Sequence, residues 1–361
     1  MKVIDLFAGV GGFSQGFIKA GFEVSLAIEH DKEIALSYKS NHPNTEVVSE
    51  DIQKVKIDSL SEFFSSADVI IGGPPCQGFS QKGKRLSVLD ERNFLFKYFI
   101  EIVRIAQPQF FILENVPNII TTENEFFKNE IIQEFSKLGY EVDAKILNSA
   151  DFGVPQIRRR AIFLGQKKRL EIAIPLTNHK KTSVKEAIYD LPFILSSQGK
   201  PFFEYEKSTN SEYQALMREN SKGIYNHQAT KHSELALKRL SLIPKGKGRE
   251  VLPKEHLTKS IFSGTWCRLL EDGLATTITT RFDTPSSGRF THPILDRCIT
   301  VREAARIQSF SDSFIFTGTK GSQMRQVGNA VPPLMAYEIA KTISQYINKN
   351  ESLTKFSKIK V

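Results

Sequence analysis

The chain has 361 residues, 40% of them hydrophobic and 25% charged, with 27 Phe. That is enough to bury two ordinary cores or one large one, which excludes both a disordered chain and a disulfide-dependent miniature fold. Lys and Arg outnumber Asp and Glu by 49 to 40, a net charge of +9 that favours a polyanionic partner, and no apolar run nears the ~20 residues that a bilayer-spanning helix needs.

The first half alternates apolar runs with helical segments, the pattern of a parallel α/β sheet. Strands are expected at 3–7, 24–28, 45–48, 69–71, 110–113, 142–147 and 161–164. Helices are expected near 14–20, 31–41, 93–106 and 125–138, with Gly21 and Gly139 as stops. A glycine-rich turn, DLFAGVGGFS over 5–14, follows the first strand directly. Glycine lets backbone N–H groups approach a nucleotide-type cofactor at a helix N-terminus. Glu29 ends the second strand, where a carboxylate can accept bonds from ribose hydroxyls. The dinucleotide fingerprint needs Gly at position 14, which is Ser, so a nicotinamide cofactor is disfavoured and S-adenosylmethionine fits better. An ordinary strand-to-helix turn is the alternative.

The fourth strand ends in GGPPCQGFS over 72–80. Two prolines stiffen the backbone before Cys76 and glycines clear space around it, a setting for a nucleophile at the carboxyl rim of the sheet, in contrast to a small core residue. Cys267 and Cys298 lack that setting and read as core; three scattered Cys without CxxC make neither a disulfide framework nor a zinc site. The fifth strand ends in Glu114-Asn115-Val116, where a carboxyl can donate a proton if apolar neighbours such as Phe110, Phe111 and Ile112 raise its pKa, or can cap the next helix. QIRRR over 156–160 leads into the last strand with Arg158 and Arg160 on one face, suited to a phosphate or a pyrimidine carbonyl, or else solvated.

From about 193 to 260 the composition turns to Ser, Lys, Asn, Gly and Pro with weak periodicity. This stretch holds 12 Lys and Arg against 7 Asp and Glu, or +5 of the +9, so phosphate contacts are expected here first. Arg281-Phe282-Asp283-Thr284-Pro285 suits such contacts or an ordinary turn equally. QVGNAVPP over 326–333 reads as a loop entering a helix. Met335, Ile339, Ile343 and Ile347 then mark an amphipathic helix returning to the first core, and a polar tail from Asn348 is expected to fray.

In this order and spacing, DLFAGVGGFSQGF (5–17), GGPPCQGFS (72–80), ENV (114–116), QIRRR (156–160), RCITVREAARIQSF (297–310) and QVGNAVPP (326–333) closely resemble the DNA (cytosine-5) methyltransferases. One departure is Ser311, where the family usually has Pro, and it concerns a local turn. The resemblance implies a doubly wound, Rossmann-like α/β methyltransferase domain over 1–192, a smaller target-recognition domain inserted at 193–319, and a return segment at 320–361. It further implies methyl transfer from S-adenosylmethionine to C5 of a flipped-out cytosine in a short duplex DNA sequence. Cys76 would attack C6, Glu114 would protonate or hydrogen-bond N3, Arg160 would meet O2 and Arg158 would lie near the phosphate. Phe7, Gly9 and Gly11 would shape the cofactor pocket, Glu29 would hold the ribose, Asp51 and Ile52 would meet the adenine, and Pro74, Leu95 and Asn329 would complete the site. A 77–92 loop would close over the base.

The same resemblance implies a bacterial or phage modification enzyme: cytoplasmic, without membrane or metal, monomeric on double-stranded DNA, and paired with a restriction endonuclease. A tRNA cytosine-5 methyltransferase is a rival, but its Cys-Phe-Thr signature is absent from the sequence. A catalytically silent DNA-binding relative is the other, and intact Cys76, Glu114, Arg158 and Arg160 argue against it.

Overall fold

The computed structural model describes residues 1–75, 94–121, 124–258 and 263–358, with backbone alone at 94 and 351–358. The chain forms two compact units. The first comprises Met1–Asn148, Arg159–Thr177 and Pro333–Val361, and the second Ser149–Arg158 and Asn178–Pro332. Among the described residues no helix is long and apolar enough to cross a membrane.

All the expected strands form in the first unit: β1 (Lys2–Leu6), β2 (Glu23–Ile28), β3 (Glu46–Val48), β4 (Val69–Gly72), β5 (Phe110–Asn115), β6 (Tyr140–Asn148) and β7 (Arg159–Lys167). They line up as β3-β2-β1-β4-β5-β7-β6. β1 to β5 are parallel, but β7 runs antiparallel to both β5 and β6, which corrects the reading of a wholly parallel sheet. The reason is the connection: β6 and β7 are joined directly through 149–158, whereas a parallel neighbour needs a longer crossover.

Helices α1 (Gly12–Lys19), α2 (Lys32–Asn41), α3 (Ser61–Ser65), α4 (Phe94–Ala106), α5 (Asn118–Thr121) and α6 (Phe126–Lys137) belong to this unit. Their apolar faces close a core in which Phe111 stacks on Phe135 at 3.9 Å and Phe99 meets both edge-on. The long C-terminal helix, running from Pro333 to Lys358 past the point where the polar tail was expected to fray, lies on α1. A Cβ on Gly16 would stand 2.4 Å from the Cβ of Ala336, so only glycine permits this approach.

The second unit is less loop-like than its composition suggests. It contains α7 (Val184–Ile188), a hairpin of β8 (Gly199–Phe203) and β9 (Ile224–Gln228), α8 (Glu212–Arg218), α9 (Glu234–Ser241), α10 (Val301–Ile307) and α11 (Lys320–Asn329); the C-terminal helix is α12 (Pro333–Lys358). Its boundaries differ from the expected 193 and 319. Residues 178–192 join it because α7, fixed by a Ser183–Glu186 capping box, packs on α8 and α10, and 320–332 join it through α11.

Candidate active site

The carboxyl ends of β1 and β2 build the first half of the site. Phe7 and Gly9 both take positive φ, 57° and 56°, and Gly11 at 90° caps α1 in the left-handed region that a side chain disfavours. A Cβ on Gly9 would meet nothing within 4 Å, leaving open space over the turn. Glu29 is 5% exposed: its Oε2 accepts the Gly9 N–H at 2.9 Å and its Oε1 the Asp31 N–H at 2.8 Å. A carboxylate has lone pairs left for a hydroxyl after two such bonds. Burial raises the Glu29 carboxyl above the usual carboxylate range, opposed by those backbone bonds and by His30. Asp51, beyond β3, accepts the Gln53 N–H at 3.0 Å, and Ile52 is buried. Phe7 and Leu95 are partly buried against the main core.

Sequence reasoning missed the layer beneath. The Ser14 hydroxyl donates to Asp5 Oδ2 at 2.6 Å and the Tyr38 hydroxyl donates to Ser14 Oγ at 2.7 Å, all three side chains being buried. The residue at 14 that departs from the dinucleotide fingerprint is therefore the bridge between β1 and α2.

Burial lifts the Asp5 carboxyl from its ordinary 3.8 to about 7. Between those values the folded chain keeps a proton that the unfolded chain has released. This contribution to stability is complete below the unfolded value and gone above about 7. Asp5→Asn, uncharged throughout, is expected to lose less stability than the parent between about pH 5 and pH 7, read as the shift of the urea midpoint. Equal shifts in the two proteins would place that proton elsewhere.

The second half of the site lies at the ends of β4, β5 and β7. Glu114 opposes Ile162 across the β5–β7 pair, so Arg160, two residues earlier, shares its face. Arg160 Nε lies 2.7 Å from Glu114 Oε1, with the two side chains 17% and 12% exposed. The carboxylate is thus met by a guanidinium as well as by the apolar strand. A Cβ on Gly73 would come 2.9 Å from Glu114 Oε2, so that glycine makes room for the carboxylate. Asn115 Nδ2 donates to the carbonyl of buried Pro74 at 2.9 Å, tying the chain after β4 to the end of β5. Cys76 and the 77–92 loop lie outside the described residues.

Arg158 and Asn329 fall in the second unit. Arg158 is 1% exposed and donates to the Ile278 carbonyl at 3.1 Å, whereas Arg160 is the second residue of β7, so they do not form the one face that their spacing suggested. The cause is that β7 starts only at 159, and alternation does not reach back to 158. Residues 326–329 are the last turn of α11, not a loop, and leave Asn329 exposed. Phe282 is buried and Pro285 opens a short 3-10 turn, while Arg281 is exposed.

The RCITVREAARIQSF motif is explained by α10. Thr300 and Glu303 form a capping box, and Arg302, Glu303 and Arg306 are fully buried. Arg297 grips Glu303 through two bonds of 2.8 Å, and Arg306 reaches Asp190 at 2.8 Å and Asp312 at 2.6 Å. Arg302 donates to the carbonyl of Ser311 at 2.8 Å. It is the backbone of residue 311 that this turn uses, which is why Ser serves there.

A family model for C-5 cytosine-specific DNA methylases matches residues 1–345. Type II methyltransferase M.DdeI of Desulfomicrobium norvegicum is 39% identical over 96% of this chain and 89% of its own length. Type II methyltransferase M1.HphI of Haemophilus parahaemolyticus is 38% identical over 97% and 88%. Among solved structures, a protein described as a DNA modification methyltransferase encoded within an E. coli prophage is 31% identical with a TM-score of 0.77, covering 96% of this chain and 99% of that one. DNMT2 of Spodoptera frugiperda, 17% identical with a TM-score of 0.61 over 94% and 98%, shares the fold.

Proposed function

Because the chain belongs to the C-5 cytosine-specific DNA methylase family and is a DNA (cytosine-5) methyltransferase, we propose that it methylates a cytosine flipped out of duplex DNA through a covalent Cys76 adduct. The observation that carries this reading is the Glu114–Arg160 pair, set over Gly73 where β4 leads into Pro74-Pro75-Cys76.

Cytosine C5 is a poor nucleophile until C6 accepts one. The Cys76 thiolate forms the S–C6 bond, and the C5–C6 π electrons shift so that C5 becomes an enamine carbon. Glu114 protonates or hydrogen-bonds N3, where negative charge would otherwise build, and Arg160 meets O2. After C5 takes the methyl group, loss of H5 as a proton returns the electrons to C5–C6 and expels the thiolate. Arg158 serves the phosphate side.

S-adenosylmethionine supplies the methyl group when bound. The open space over Gly9 and the buried Glu29 carboxylate fit such a cofactor. Phe7, Gly9 and Gly11 shape its pocket, Glu29 takes the ribose, Asp51 and Ile52 the adenine, and Pro74, Leu95 and Asn329 complete it. The second unit reads the DNA sequence with a few side chains at base edges and holds the duplex with phosphate contacts. The enzyme works as a monomer in the cytoplasm and protects DNA from a cognate endonuclease.

Incubation with tritiated S-adenosylmethionine tests the reading. Label is expected in duplex DNA, at one short sequence mapped by bisulfite, and not in tRNA. Exchanging 178–332 for the matching part of a relative with another specificity is expected to move the methylated site. Label in tRNA alone, or an active chimera keeping the recipient's site, would overturn the substrate or the domain assignment respectively.

A further inference from the structure

We infer that Tyr38, acting through Ser14 and beside His42, is a positioning residue that holds the Gly11 turn in its cofactor-binding shape before the cofactor arrives. The inference rests on the reading of the glycine turn as the adenosylmethionine site.

The geometry is that of a clamp. Helix α2 is capped by Asp31, whose N–H is bound to the same Glu29 carboxylate that holds the Gly9 N–H. At its other end, Tyr38 and His42 close on Gly11: a Cβ built there would stand 2.5 Å from His42 Nε2 and 2.7 Å from Tyr38 Cε2. The two rings lie 4.6 Å apart and are essentially inaccessible, Tyr38 at 0% and His42 at 3%. One end of this ten-residue helix thus packs on the glycine turn, and the other shares with it the Glu29 carboxylate.

Packing alone does not explain the tyrosine, because phenylalanine would cover Gly11 equally well. The hydroxyl adds a directed chain, Tyr38 to Ser14 to Asp5, that pins the first turn of α1 to β1 and α2 together. Each donor polarises the next, and the chain ends on the Asp5 carboxyl oxygen, which accepts the Ser14 hydroxyl. Burial lowers His42 to about 4, so a neutral ring faces Gly11 at working pH. Glycine reaches the left-handed region without strain but leaves it as easily, and a turn that samples other shapes binds with an affinity reduced by the competent fraction.

Tyr38→Phe removes one oxygen and keeps the ring. Calorimetric titration of the full chain with S-adenosylmethionine, without DNA, is expected to show Kd raised about tenfold, the result of a competent fraction near one tenth. KM for the cofactor rises in step and kcat carries the smaller part of the change. Ser14→Ala, which breaks the same chain, is expected to match it, and the double variant to be little worse than either. If Tyr38→Phe does not fold, Ser14→Ala alone carries the test. Unchanged cofactor affinity in the variants, or effects that simply add, overturns the inference while leaving the site reading intact. A parent chain that binds no S-adenosylmethionine overturns both.

Discussion

Duplex DNA carrying 5-fluorocytosine at the target position is expected to trap the parent chain in a complex that survives denaturation, and Cys76→Ala to form none. Fluorine at C5 cannot leave as a proton, so after methyl transfer the electrons needed to expel the thiolate are never released and the S–C6 bond persists. Alanine has no atom to form that bond. Methyl transfer to ordinary DNA should fall at least ~1,000-fold, the scale on which loss of a nucleophile acts. Asn115 holds the Pro74 carbonyl, and alanine at 76 removes neither partner of that bond. A trapped band with Cys76→Ala would put the nucleophile at another residue.

Glu114→Gln is expected to cost ~100-fold or more in the rate of methyl transfer, with S-adenosylmethionine affinity nearly unchanged. Glutamine keeps the length of the side chain, and its carbonyl can still accept from Arg160 Nε, so the local packing over Gly73 survives. What it removes is the charge that balances the guanidinium and the proton that N3 would share. Parallel calorimetric and single-turnover measurements separate the two effects. A variant that lost cofactor binding and kept its single-turnover rate at saturation would make Glu114 a structural rim residue.

Strands such as β4 and β5 were legible because each is a short apolar run buried on both faces, as in Phe110–Leu113, and needs no partner to be recognised, whereas β3 and β6 are largely half-buried. The direction of β7 was not legible, since a fully buried strand reads the same whichever way it runs. Cys76 and Glu114 stood out through their position at strand ends. The Asp5–Ser14–Tyr38 chain did not, because its members are 9 and 24 positions apart and each alone resembles an ordinary loop or helix residue. In α10 the burial of Arg302, Glu303 and Arg306 was not legible, although Thr300 three residues before Glu303 is a visible capping-box signal. Their burial depends on Arg297 and Asp312, each six residues from its partner, and on Asp190, 116 residues from Arg306, which no local pattern announces.

The contact between Gly16 and Ala336 has a consequence for how the enzyme comes into being. The two residues are 320 positions apart (336 minus 16), so a ribosome adding ~5–20 residues per second makes the second roughly 15 to 65 seconds after the first. Throughout that interval α1, which follows the glycine turn, lacks its cover, although β7, ending at Lys167, completes the sheet less than halfway through. Methylating competence therefore comes late in synthesis. A nascent chain stalled before 333 should be open to protease at α1, and release of the stall should close it.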